Sequence, residues 1–161
     1  MAFAETWRMG YCSEMLNQDI LEHLKKNIPL TNFFGIKKVS RSQNAVIFSV
    51  DLQPHLNHKK TAYGGSLYSL SALSCYAWLW TALPERGIAT DDIVIQRGEM
   101  KYFRPVNQDF SVRTEMPPDF ESFFSGLKRK AKSRLELKAQ ILQGSEVCAE
   151  FLGVFVAMAQ A

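Results

Sequence analysis

Two adjacent glycines, Gly64 and Gly65, stand near the start of the long uncharged stretch of this sequence. Residues 61–84 carry no Asp, Glu, Lys or Arg, and a polar basic turn at 57–60 precedes them. The first amides of a helix have no intrahelical partner and lie at the positive end of its dipole. Because glycine lacks a Cβ, a carbonyl oxygen can approach closely, and the pair could form an oxyanion hole. A tight turn into a buried helix would need the same glycines.

The polar residues before these glycines have two interpretations each. Asn57 either orients an attacking water or holds the turn through its side-chain amide. His58 has the chemistry of a base, but beside Lys59 and Lys60 it is more typical of a solvated loop.

The polar residues after the glycines are also ambiguous. Tyr68, Ser69 and Ser71 carry hydroxyl groups on the predicted helix, where such groups often bond back to the preceding turn. Gln96 and Glu99 lie in the next strand near a predicted bulge, and bulges often redirect side chains. Glu99 is therefore either an acid–base group or an exposed strand residue.

Basic residues form a second candidate site, with five of them between positions 128 and 134. A charge run is usually a solvated face, but it can also bind an anionic ligand. Nearby phenylalanines would suit single-stranded nucleic acid, yet no RNP or KH motif accompanies them, and we expect no nucleic-acid partner. The set comprises Lys101, Arg104, Lys128, Arg129, Lys130, Lys132 and Arg134.

The composition indicates a single domain over residues 1–161, with 47% hydrophobic and 22% charged residues and a net charge of +3. Serines and a threonine make the uncharged stretch too polar for a lone membrane span, and a helix buried on nearly all sides explains it better. Cys12, Cys75 and Cys148 are scattered, without metal-ligand spacing. With no signal peptide evident, they predict reduced thiols in a cytoplasmic protein, Cys75 being a small buried hydrophobe.

Periodicity predicts the elements that position these groups. A helix over 13–27 and a short strand within 33–39 come first, followed by a strand over 46–52 and the long helix from the glycines to Pro84. Further strands are predicted at 93–103, with a bulge at Arg97-Gly98, and at 110–116, 135–141 and 147–158, the last an interior strand. Residues 117–133 are predicted to be a long connection. The fold class is α+β, a curved antiparallel sheet of about six strands wrapped round one long central helix.

Two motifs in this order of elements resemble the hot-dog fold of acyl-thioesterases. The run Asn57-His58-Lys59-Lys60-Thr61-Ala62-Tyr63-Gly64-Gly65 is similar to their N-x-x-G-T-x-H-G-G turn, and Tyr102-Phe103-Arg104-Pro105-Val106 is similar to their Y-x-R/K-P-V strand end. An aromatic residue before the glycines is typical of the putative thioesterase family of the YiiD C-terminal type, which residues 15–158 resemble most.

The resemblance implies hydrolysis of acyl-CoA or acyl-carrier-protein thioesters at the interface of a homodimer or homotetramer, whose sheets join edge to edge. It implies no metal and no cofactor beyond the coenzyme A of the substrate. The candidate catalytic residues are Asn57, Gly64 and Gly65 from the resembled motif, with Tyr68 and Glu99 from the helix and the next strand. The candidate substrate-binding residues are Tyr63, Ser66, Arg104, Lys128, Arg129 and Lys130, the last three from the basic run.

Three departures from the family pattern leave other functions open. Tyr63 replaces a histidine, Lys60 replaces a glycine, and Ala72 stands where many relatives carry a helix carboxylate. A non-catalytic acyl-CoA-binding protein and a purely structural oligomerising module are the alternatives.

Overall fold

The structure, a computed structural model, describes the backbone of residues 13–88 and 90–159 and the side chains from Asn17 onward. Cys12 therefore lies outside the described residues. The helices are α1 (Ser13–Asn27), α2 (Gly64–Glu85) and α3 (Phe120–Lys130). The strands are β1 (Ile36–Arg41), β2 (Ala45–Val50), β3 (Ile93–Tyr102), β4 (Phe110–Glu115), β5 (Lys132–Gln143) and β6 (Glu146–Met158). Short 3₁₀ turns occupy Pro29–Phe33 and Gln53–His55.

The six strands form one antiparallel sheet in the order β1-β2-β4-β5-β6-β3. β1 and β3 are thus its two edges, and β6 is an interior strand, as predicted. β5 and β6 form a hairpin at Gly144, whose φ of +61° is a conformation that favours glycine. This arrangement confirms the predicted α+β class and the hot-dog fold.

Helix α2 runs through the concave side of the sheet and is buried over most of its surface. Its buried residues include Leu67, Leu70, Trp78, Leu79 and Leu83. Burying one such side chain stabilises a fold by about 1.5–3 kcal/mol, so α2 accounts for a large part of the core. Within the described residues, no helix is long and apolar enough to cross a membrane.

The long connection predicted over residues 117–133 contains a helix that was not predicted, α3, and its last two residues already belong to β5. Phe120, Phe123, Phe124 and Leu127 are buried at the i, i+3, i+4, i+7 spacing of a helix face. The Phe120 ring packs edge-on against Trp78 at 5.0 Å between ring centroids. The sequence carried this signal, but the neighbouring Pro117-Pro118 and the basic run favoured a loop.

One strand boundary and the position of one bulge also differ from the prediction. The first strand begins at Ile36, not within 33–35, because a 3₁₀ turn and Gly35, with φ +56°, come before it. The register of β3 against β6 shifts between Ile95 and Arg97, which places the predicted bulge at Gln96, one residue early.

Candidate active site

The amides of Gly64 and Gly65 are free hydrogen-bond donors at the start of α2. Tyr63 precedes the helix in an extended conformation, and its carbonyl accepts the amides of Ser66 at 3.0 Å and Leu67 at 3.2 Å. Among the described residues, no acceptor pairs with the Gly64 or Gly65 amide. Two donors therefore stand at the positive end of a 22-residue helix, as the oxyanion-hole interpretation requires.

A cleft of about 440 Å³ opens beside these amides and is lined by Ala62, Gly64, Gly65, Leu67 and residues 102–106. The Tyr102 hydroxyl donates to the Gly64 carbonyl at 2.8 Å and joins the end of β3 to the helix start. Burial raises the pKa of Tyr102, and Tyr63 and Tyr68 raise it further, so the phenol stays a donor at neutral pH. The Ala62 amide donates to Val106 at 2.8 Å and ties the second motif to the first.

The Asn57 side chain holds the turn that leads into the cleft. Its Oδ1 accepts the amides of Lys59 at 2.8 Å and Thr61 at 3.2 Å, and its Nδ2 donates to Thr61 Oγ1 at 3.1 Å. Lys60 has φ +58°, the left-handed conformation, at the position where the resembled motif has glycine. His58 is exposed in the same turn. The structure thus shows the turn-holding role of Asn57 directly.

One narrow stripe of α2 is partly exposed, and we call Gly65, Ser69, Ala72 and Tyr76 the helix stripe. These residues follow one another at i, i+4, i+7 and i+11, while most of the helix between them is buried. Ser69 Oγ donates back to the Gly65 carbonyl at 2.9 Å, as its structural interpretation predicted. Ala72 is partly exposed within this stripe and carries no acid–base group.

Tyr68 lies next to the helix stripe and packs across the inner face of β3. Its ring meets Phe151 edge-on at 5.0 Å between centroids. A Cβ on Gly98 would collide with the Tyr68 hydroxyl and would lie 2.9 Å from Phe151. The glycine predicted at the bend therefore lets Tyr68 close against the middle of the edge strand.

A polar cluster that the sequence did not indicate closes the far end of the helix stripe. His23 Nε2 and the Tyr76 hydroxyl are 3.0 Å apart. The His23 ring stacks on Trp80 at 3.7 Å, and Trp80 Nε1 donates to Asp91 at 2.9 Å. Burial lowers the pKa of His23 and, together with Asp91, raises that of Tyr76 to about 12. His23 and Tyr76 are 53 residues apart in sequence, so no local pattern connects them.

Glu99 is not brought to the glycine amides within one protomer. In β3, Met100 pairs with the core residue Phe151 and faces α2, whereas Glu99 pairs with the exposed Leu152 on the outer face. Tyr63 and Ser66 do lie at the helix start, and a Cβ on Gly65 would collide with the Tyr63 ring.

The predicted basic residues divide between the two ends of β3. Arg104 lies beside the glycine cleft, and its guanidinium pairs with Glu146 at 2.6 Å. At the other end, a cavity of about 540 Å³ forms between α3 and β5. We call this cavity the basic concavity; its lining is Gly126, Arg129, Lys130, Lys132, Ser133 and Arg134.

The basic concavity has no acidic counterpart in the part of the chain that the structure describes. Every basic side chain with a carboxylate within 4.0 Å lies elsewhere. Arg134 Nε instead donates to Gln96 at 2.9 Å, which connects the concavity to the bulge of β3. The described residues also contain no group of three or more His, Cys, Asp or Glu side chains arranged to bind a metal.

Comparison with known proteins identifies one family and many similar folds. The family model described as a putative thioesterase, the YiiD C-terminal type, matches residues 17–159. A protein of unknown function from Chlorobaculum tepidum superimposes with a TM-score of 0.82 at 23% identity, over 92% of this chain and 97% of that one. A putative thioesterase from Shewanella oneidensis gives 0.80 at 24% identity, over 89% and 98%. A probable thioesterase of unknown function from Pseudomonas aeruginosa gives 0.72 at 17%, over 89% and 96%.

Proposed function

This chain belongs to the putative thioesterase family of the YiiD C-terminal type, and we propose on that basis that it hydrolyses acyl thioesters of coenzyme A or an acyl-carrier protein. The observation that carries the proposal is the pair of free amides at Gly64 and Gly65, two residues that line a cleft of about 440 Å³. Such amides suit a carbonyl oxygen that becomes negatively charged.

In the proposed reaction the thioester carbonyl oxygen accepts hydrogen bonds from both amides. Water attacks the carbonyl carbon, and the charge that develops on the oxygen in the tetrahedral intermediate is stabilised where it forms. The C–S bond then breaks, and the thiolate leaves and takes up a proton. One donor of this kind contributes on the order of 10²–10³ in kcat.

The attacking water needs a partner, because the helix stripe carries no carboxylate. Asn57 and Tyr68 flank the cleft-lining segment 62–67 in the chain and are the candidate partners from the same protomer, although Asn57 would have to give up a hydrogen bond of the turn to hold the water. Glu99 faces outward, away from α2, in its own protomer and does not supply this partner there.

A second copy is expected on the free edge of β3. Four large side chains are exposed along or just after this strand: Val94 at 49%, Ile95 at 42%, Tyr102 at 53% and Phe103 at 55%. An unpaired edge strand is a template for another strand. The helix stripe opens beside the same edge, so a second copy would also cover the exposed part of α2. We propose a cytoplasmic homodimer, or a homotetramer built from two such dimers.

We propose that uncharged residues bind the acyl group of the substrate and that basic residues bind its phosphates. Tyr63 and Ser66 stand where the acyl group would enter, while Arg104 and the basic concavity with Lys128 offer cations to the phosphates of coenzyme A. The cations are exposed, so salt should weaken their contribution.

Turnover of a panel of acyl-CoAs of different chain length, followed with a thiol-trapping dye, tests the proposal. We expect hydrolysis by the wild type and its loss in Gly64→Trp, whose indole would fill the cleft. Leu30→Trp, a matched control at a residue 55% exposed on the 3₁₀ turn after α1, should keep full activity.

The absence of a carboxylate at Ala72 favours a second candidate function, an acyl-CoA-binding protein without turnover. Saturable binding with no release of thiol by any acyl-CoA would establish that function and refute the hydrolase. If the protein shows neither binding nor turnover of any acyl-CoA, a structural oligomerising module remains as its function.

A further inference from the structure

The two cationic regions assigned to the substrate are too far apart in one protomer to serve one small ligand. Arg134 of β5 lies level with Val156 of β6 and Val94 of β3. Tyr102, which contacts Gly64, lies level with Ala149, seven positions from Val156 along β6. At about 3.3 Å per residue, that separation is roughly 23 Å. The basic concavity therefore lies about the length of β3 away from the glycine amides.

The free edge of β3 is complementary to itself in charge when two copies pair about Gly98. Arg97 and Glu99 both face outward, on either side of Gly98. Arg97 is 74% exposed, with only a 3.9 Å contact to Glu136, and Glu99 has no ionic partner among the described residues. When two antiparallel copies of β3 meet with Gly98 opposite Gly98, each Arg97 faces Glu99 of the second copy.

Neighbouring registers are less favourable. Centring the pair on Arg97 or on Glu99 sets like charges directly opposite each other, which destabilises a sheet. A slip by one residue opposes inward-facing to outward-facing side chains. Centring on Met100 also matches charges, as Glu99 with Lys101, but leaves the first half of β3 unpaired.

We propose that the basic concavity of one copy completes the thioester site of the other. In the Gly98-centred pair, Val94 of one copy lies within one position of the level of Tyr102 of the second copy, because the bulge at Gln96 leaves Val94 three ladder positions and Tyr102 four positions from Gly98. The path from Arg134 then crosses three strand spacings, or roughly 14 Å. Arg134 shortens it further, since its side chain already reaches Gln96 on the edge strand.

The ligand group that fits the basic concavity is the phosphate-bearing end of the thioester carrier. Four cationic side chains without carboxylate partners line it, together with the Ser133 hydroxyl. A Cβ on Gly126 would lie 3.0 Å from that hydroxyl, so the glycine keeps it open to a ligand. This inference rests on the proposed function for the identity of the carrier, but its geometry can be tested by binding alone.

Mixed dimers show whether one ligand is bound by the cleft and the basic concavity of the same copy or by the cleft of one copy and the concavity of the other. One subunit carries Gly64→Trp, which blocks its cleft; Ser66→Trp replaces it should the first variant fail to fold. The other carries Arg129→Gln, Lys130→Gln and Arg134→Gln. Two affinity tags isolate the mixed species, and calorimetry measures binding of an alkyl-CoA thioether, which cannot be hydrolysed.

The mixed dimer should bind one thioether molecule with the wild-type Kd, because the open cleft of the neutralised subunit faces the intact concavity of the blocked one. The neutralised homodimer should bind about tenfold more weakly, equivalent to about 1.4 kcal/mol. A control with Lys25→Gln, Lys26→Gln and Lys38→Gln removes the same charge from exposed positions on α1 and β1 and should leave Kd unchanged.

A mixed dimer as weak as the neutralised homodimer would overturn the proposal, as would a wild type that binds no thioether or stays monomeric. Absence of acyl-CoA turnover alongside wild-type binding by the mixed dimer would refute the hydrolase and support this arrangement.

Discussion

Ala72→Asp should raise kcat for acyl-CoA hydrolysis, because it supplies a base where the helix stripe lacks one. Tyr68 packs over Gly98, so two copies paired about Gly98 bring their α2 helices together near Tyr68. Gly64 and Ala72 are each four residues, or about 6 Å, from Tyr68 along the helix. In antiparallel helices Ala72 of one copy then faces Gly64 of the other.

The size of the effect follows from general base catalysis and from the cost of the substitution. A positioned base contributes 10²–10⁴-fold, and we expect the lower end, about 10², because the surrounding residues were not arranged around a carboxylate at this position. Replacing alanine by aspartate within a helix costs up to about 0.7 kcal/mol. Ala72 is only partly buried in a single copy, but the second copy covers it in the proposed dimer, so sedimentation has to show that the aspartate variant still dimerises.

Steady-state kinetics on matched variants test this prediction. Ala72→Asn has the same size and a similar helix cost but no base, so only the aspartate variant should gain kcat. The gain should grow with pH as the carboxylate ionises and then reach a plateau. Equal kcat for the Asp and Asn variants, with both still dimeric, would refute the placement of Ala72 opposite the glycine amides.

Four further predictions concern the interface, the turn and the far end of α2. Arg97→Glu and Glu99→Arg should each raise the dimer dissociation constant about tenfold in sedimentation, whereas the double exchange should restore it; a double variant as weak as either single one would exclude the register. Asn57→Ala should lower kcat while the protein still folds and binds acyl-CoA, and full kcat would remove Asn57 from the mechanism. Lys60→Gly removes the steric cost of the left-handed conformation but gives the unfolded chain more backbone freedom. The midpoint of thermal unfolding, Tm, should therefore rise by about 1–2 °C, and a lower Tm would contradict this account. Because burial lowers the pKa of His23, folding favours its neutral form, and the free energy of unfolding should decline below pH 6.5 more steeply in the wild type than in His23→Gln.

Most of the fold was predictable because its signals are local. The long helix followed from an uncharged stretch, and the strands from alternation over a few residues. The failure at α3 has a physical reason: the buried phenylalanines have helical spacing, but Pro117-Pro118 and the basic run resemble a loop when the packing surface of Trp78 is unknown.

The candidate site was predictable only where it is continuous in sequence. The turn from Asn57 to Gly65 forms from neighbouring residues, whereas the orientation of Glu99 depends on a bulge displaced by a single residue to Gln96. Strand order decides that Arg104 and the basic concavity lie at opposite ends of β3, and periodicity carries no information about that order. The His23–Tyr76 contact likewise depends on how α1 packs on α2.

The strand order also has a consequence for the synthesis of this protein. Among the strands of the described residues β3 pairs only with β6, and 56 residues separate their last positions, Tyr102 and Met158. At about 5–20 residues per second on the ribosome, β3 waits roughly 3–11 s for its partner. Throughout that interval both of its edges are open. A neighbouring nascent chain that paired with the wrong edge would occupy the place of β6, so correct assembly requires β6 to emerge before two chains meet.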